Sequence, residues 1–107
     1  MKYEIRYIFG SYESDGEEIK DFLVEDPEEA LATIEKMKNN DDTLYIYNID
    51  SGDQIEISFD KNCYFVKDLM RNGFYKKVCA FNELTYILRS FSDPDRDPTT
   101  YGMEIFE

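Results

Sequence analysis

The feature that most constrains this chain is a period of two. From Lys2 to Phe9, the residues Tyr3, Ile5, Tyr7 and Phe9 fall on one side, while Lys2, Glu4 and Arg6 fall on the other. A strand turns successive side chains to opposite faces, so this spacing predicts a strand with one face buried and one in water. The stretch from Gln54 to Phe59 repeats the pattern, with Ile55, Ile57 and Phe59 inward and Glu56 and Ser58 outward. Half-wet strands of this kind belong to antiparallel sheets.

The remaining segments fit around these two. Asp15-Gly16, in the polar stretch from Gly10 to Glu18, is a hairpin-turn dipeptide. A second strand is expected from about Glu18 to Glu25. Asp26-Pro27-Glu28-Glu29 is a helix start: a capping carboxylate, a proline at the first helical position, and two acids at the positive end of the dipole. Ala30, Leu31, Ile34 and Met37 follow at helical spacing, predicting a helix from Pro27 to about Asn39. Thr43 to Ile49 reads as a third strand, joined to Gln54–Phe59 by the turn Asp50-Ser51-Gly52-Asp53. Residues 61–73 admit two readings. Asn72-Gly73 turns a hairpin, or Phe65, Leu69 and Met70 share one side of a short helix ended by Gly73. Phe74 to Phe81 reads as a strand. Asn82 then caps a second helix, Glu83 to Phe91, with Leu84, Ile87, Leu88 and Phe91 on one stripe. Tyr101, Met103 and Ile105 alternate as a last strand. The expected fold is one α+β domain over residues 1–107, a single mostly antiparallel sheet with two helices packed on one face.

Composition narrows the function classes. The chain has 24 acidic and 12 basic side chains, net −12, which repels phosphate backbones and argues against nucleic-acid binding. It has no histidine, which removes Ser-His-Asp and Cys-His catalysis and the commonest zinc ligand. There is no Gly-rich phosphate loop and no nucleophile elbow, so no enzyme, cofactor or metal is expected. Asp93, Asp95, Asp97 and Glu104 sit at positions 1, 3, 5 and 12 of an EF-hand-like loop, but Pro98 occupies the position that needs glycine. No apolar run approaches a membrane span, and Met1 to Gly10 has no signal-like apolar stretch, so a cytoplasmic protein is expected. Cys63 and Cys79 form no CxxC pair and read as reduced, buried thiols.

The charge is segregated. Residues 1–60 carry 17 acidic and 5 basic side chains, residues 61–92 carry 2 and 6, and residues 93–107 carry 5 and 1. Asp26, Glu28 and Glu29 are explained by the helix start. Glu13, Asp15, Glu17 and Glu18 are not, nor are Asp41 and Asp42, which follow a helix C-terminus where the dipole disfavours negative charge. A crossover helix making the second and third strands parallel returns the chain to the end that carries the first hairpin. These six acids, with Tyr12, would then share one rim. Tyr45 and Tyr47 lie on one face of the third strand and Leu44 and Ile46 on the other. If Ile46 packs inward, the tyrosines are exposed, and rigid amphipathic rings beside carboxylates suit a contact surface.

The C-terminal pattern adds a resemblance. A helix from Glu83 to Phe91, a loop with Asp97-Pro98-Thr99, and a short final strand with Phe106 resembles the tail of a family of bacterial immunity proteins encoded beside polymorphic toxins, often deaminases. That tail commonly ends in a Pro-Thr turn and a strand bearing Trp. Here Trp is absent, and Phe106 or Tyr101 stands in its place. The resemblance covers about a quarter of the chain. It implies a non-enzymatic partner of a basic protein toxin, which it neutralises through an acidic, Tyr-containing surface. The other readings are a phage-type acidic inhibitor or DNA mimic and a small regulatory adaptor domain, and a homodimer stays open.

Overall fold

The computed structural model describes residues 2–9, 18–39, 42–70, 73–93 and 95–106. Seven strands form one sheet: β1 (Tyr3–Phe9), β2 (Glu18–Val24), β3 (Thr43–Asn48), β4 (Gln54–Asp60), β5 (Cys63–Met70), β6 (Gly73–Cys79) and β7 (Glu104–Phe106). Their spatial order is β2-β1-β3-β4-β5-β6-β7, and every neighbouring pair is antiparallel. From β3 onward the sheet is a meander. Only the step from β2 to β3 crosses over, and it carries the first helical segment. The α+β class with one antiparallel sheet is therefore observed.

The period-two pattern decides which face is dry. Tyr3, Ile5, Leu44, Ile46, Ile55, Ile57, Tyr64 and Val66 all point to the same side and are buried. Helix α2 (Phe81–Phe91) packs on that side with Leu84, Ile87, Leu88 and Phe91. Beside it runs the first helical segment, a 3-10 turn (Pro27–Ala30) followed by a single α turn, α1 (Leu31–Ile34), which buries Ala30 and Ile34. Leu31 is only half-buried. Asp26 caps this segment by accepting the Glu28 amide, and Glu29 reaches back to the Asp26 amide.

Several expectations are corrected. The first helix does not run to Asn39. After Ile34 the bonds shorten to i→i+3, from Lys36 N–H to Thr33 and from Met37 N–H to Ile34. The Asp42 carboxylate then accepts the Lys38 and Asn39 amides, ending the helix by competing for its backbone. In the second helix Asn82 is an exposed residue of the first turn, not the cap. The cap position is Ala80, whose amide donates to Glu83 Oε2. Of the two readings of residues 61–73 the hairpin holds and the helix does not: residues 63–70 form β5, antiparallel to β6 with Met70 opposite Gly73. Phe65 and Leu69 share a face because they stand four residues apart along β5, and Tyr64, Val66 and Asp68 take the opposite face. Tyr101 belongs to a second 3-10 turn (Pro98–Tyr101), leaving only Glu104–Phe106 to pair with β6. Among the described residues no helix is long and apolar enough to cross a membrane.

Both cysteines are free, but only Cys79 is buried; Cys63 is exposed at the start of β5, next to the tight Lys61-Asn62 turn, both of whose residues have positive φ. Burial, then the charge of Glu83, pushes the Cys79 thiol up to about 11. An alkylating reagent at neutral pH is therefore expected to modify Cys63 quickly and Cys79 only after unfolding, which mass spectrometry of the labelled protein checks. Leu88 is fully buried against the sheet. Leu88→Ala should cost about 2–5 kcal/mol in urea unfolding, as expected for a truncated core residue.

Candidate functional site: the open face of the sheet

Both helical segments cover one side of the sheet, so the other side faces solvent. Its residues are the alternates of the buried ones, and the strand register aligns them into rows. Across β2, β1, β3, β4 and β5 one row reads Leu23, Glu4, Tyr47, Gln54, Leu69. The next row reads Asp21, Arg6, Tyr45, Glu56, Lys67. Ile46 is fully buried, so the condition for exposing the two tyrosines is met: Tyr47 is 42% exposed and Tyr45 half-buried. Leu23 is 49% exposed, and Phe74 and Val78 extend the apolar surface onto β6. A groove of about 430 Å³ lies between Glu4, Arg6, Ile8, Tyr45, Tyr47 and Gln54.

Two ion pairs organise the charged row. Arg6 Nε stands 3.3 Å from Asp21, with both side chains about half exposed, and Lys67 Nζ stands 3.6 Å from Glu56. The exposed Arg6–Asp21 pair contributes at most about 1 kcal/mol and orients side chains more than it stabilises the fold, whereas the Lys67–Glu56 pair is more shielded, its side chains 34% and 22% exposed. The row is nearly neutral, in contrast to the whole chain.

The acidic rim is only partly described. Tyr12, Glu13, Asp15, Glu17 and Asp41 lie outside the described residues. The backbone of Glu18 pairs with Phe9, and Thr43 pairs with Ile8, so Glu18 and Asp42 do stand at the same end of the sheet. Asp42, however, is 1% exposed and holds two amides of the preceding turn. This explains an acid after a helix end: it is a lock for the loop and has no surface to offer a partner.

Sequence reading missed one cluster altogether. Arg96 is buried and donates two bonds to Asp68, from Nε to Oδ2 at 2.9 Å and from Nη2 to Oδ1 at 2.8 Å. Its Nη1 lies 3.4 Å from Asp53 Oδ2, and its guanidinium carbon sits 4.7 Å from the centre of the Phe91 ring. Burial alone would favour the neutral form, but the hydrogen bonds and charges of Asp68 and Asp53 outweigh it and raise the guanidinium above its ordinary value. A signal was present: Arg96 is the sole cation in residues 93–107 and Asp68 the sole acid in residues 61–82. The neighbouring Asp-rich loop spends its carboxylates locally. Asp93 accepts the Asp95 amide, and Asp97 accepts the Thr99 hydroxyl and amide, bonds that lower its pKa. No group of three or more metal-ligating side chains is gathered among the described residues.

No known protein family, characterised protein or solved structure matches this chain.

The cluster is structural, and its removal has a definite expected effect. Arg96→Met should cost about 3–5 kcal/mol in urea unfolding, because it strands two carboxylates that water no longer solvates. Adding Asp68→Leu to that variant should recover part of the loss, which the same unfolding curves would show.

Proposed function

We propose that this chain is an immunity protein that acts in the cytoplasm without enzymatic activity, binding and neutralising a cognate toxin of the nuclease or deaminase type. The carrying observation is the uncovered sheet face, where Tyr47, Tyr45 and Leu23 stand beside Arg6, Glu4 and Gln54. Exposed aromatic rings held on a rigid sheet lose little entropy on binding, and the flanking charged and amide groups supply orientation. The division of labour follows from where the charge lies. The open face is nearly neutral and can approach another surface closely. The excess acid of the chain attracts a basic toxin over a longer range and raises the association rate. Alternation of sign along the middle row favours a protein contact over imitation of a phosphate backbone. The short C-terminal resemblance supports the immunity class specifically.

The test is co-expression of the chain with the protein encoded beside its gene, followed by binding kinetics on the purified pair. Tyr45→Ala with Tyr47→Ala should abolish protection and speed dissociation, while the variant stays folded. Reversing Glu13, Asp15, Glu17, Glu18 and Asp41 to Lys should instead slow association and flatten its salt dependence. Undiminished protection by the tyrosine variant would remove the open face as the contact. A harmless neighbouring protein would remove the immunity reading and leave a regulatory adaptor.

A further inference from the structure

The middle row of the open face has an order that solubility does not require. Read from β2 to β5 it is acid, base, Tyr45, acid, base: Asp21, Arg6, Tyr45, Glu56, Lys67. The ion pair on one side of β3 and the ion pair on the other point the same way along the row. The sequence of signs is therefore antisymmetric about Tyr45.

An antisymmetric row complements itself under a half-turn. Take a two-fold axis lying between two copies, along β3, with their open faces together. The rotation keeps each row over itself and exchanges the two sides of β3. Arg6 then faces Glu56 of the second copy, and Asp21 faces Lys67 of the second copy, each contact occurring twice. Tyr45 and Tyr47 lie on the axis and meet their own counterparts. Leu23 falls over Leu69 of the second copy, and Glu4 over Gln54 of the second copy. Moving the axis by one strand, to β4, would set Arg6 over Lys76 and Asp21 over Glu104, like charge on like.

We propose that a second copy of this chain docks on the open face, forming a two-fold sandwich centred on β3. Aligned packing of two sheets at about 10 Å separation suits side chains that extend toward one another from both faces. Five strands at about 4.8 Å and six or seven residues at about 3.3 Å give a patch of roughly 500 Å² per copy, or about 1,000 Å² in total. That is the lower limit for a specific interface, so the dimer is weak and concentration-dependent. The overlap carries Glu4, Asp21 and Glu56 against Arg6 and Lys67, so little of the molecule's net −12 is forced together. This inference does not depend on the immunity reading. The two uses of the face exclude one another, so self-association would compete with a partner.

The test exchanges ion pairs whole, which keeps the bond within each chain. One variant carries Arg6→Glu with Asp21→Lys; the other carries Glu56→Lys with Lys67→Glu. Sedimentation velocity over a concentration series should show wild type dimerising. Each variant alone should self-associate more than ~10-fold more weakly, since like charges now oppose across the interface. An equal mixture of the two should regain dimers of wild-type strength, because every contact is again between opposite signs. Thermal unfolding of each variant, expected to resemble wild type, separates lost pairing from lost folding. A wild type that stays monomeric throughout would overturn the proposal. So would variants that dimerise as wild type does, which moves the contact off this face. Dimers of the second variant alone would also overturn it, placing the overlap nearer β5, where Arg6 meets Glu104. All of these measurements use the chain by itself, so they stand whatever the toxin experiment returns.

Discussion

Arg96 ties together parts of the chain that share no secondary structure. It reaches from the loop after α2 to Asp68 on β5 and to Asp53 at the β3–β4 turn, with its guanidinium over the Phe91 ring. Taking three charges out of water is expensive, and such a group persists only when its hydrogen bonds are met in full. Here the planar fork of the guanidinium matches the Asp68 carboxylate with two bonds, which a lysine could not do. The consequence is positional. The end of α2 is held against the inner face of the sheet at β5, and the chain beyond it is delivered to β7 at the far edge. The first helical segment is held on the same side by its own packing against α2, where Glu28 also pairs with Arg89.

A sheet covered on one side only has a second face to account for. In many proteins that face is simply polar. Here it is striped, with a row containing Leu23, Tyr47 and Leu69 beside a row of paired charges. The molecule's strong negative charge lies mostly away from it. On the proposed function, contact and attraction would fall to different places: short-range packing to a neutral aromatic surface, long-range steering to the acids. A domain of this size has room for one core, and the face of the sheet turned away from that core is left to solvent.

Self-pairing and partner binding draw on the same residues for different reasons. The partner reading needs Tyr45 and Tyr47 as anchors. The self-pairing reading needs the order of the charges around them. If a face serves both, the protein's own concentration sets how much of it is open, and a tight partner would displace a weak copy by mass action.

By itself the sequence determined the α+β class, strands over Lys2–Phe9, Thr43–Ile49 and Gln54–Phe59, each within a residue of β1, β3 and β4, and the buried stripe of α2. It also placed Tyr45 and Tyr47 on the face opposite Ile46. These are local properties: a side chain's face follows from its parity along a strand or its phase around a helix. What depends on distant residues had to wait for the tertiary structure. The strand character of residues 63–70 was obscured by Asp68, a charge on the buried side that makes sense only once Arg96, 28 residues away, is beside it. The first helix was read too long for a different reason: its apolar spacing continues to Met37, while the Asp42 carboxylate, only three and four residues on, turns back to take the Asn39 and Lys38 amides, a loop shape that spacing does not show. That same contact withdrew Asp42 from the rim. The rows of the open face were hidden for a further reason. Each strand shows its own alternation, but the order of signs across strands is set by register and by the sheet order β2-β1-β3-β4-β5, which exist only after the chain has folded.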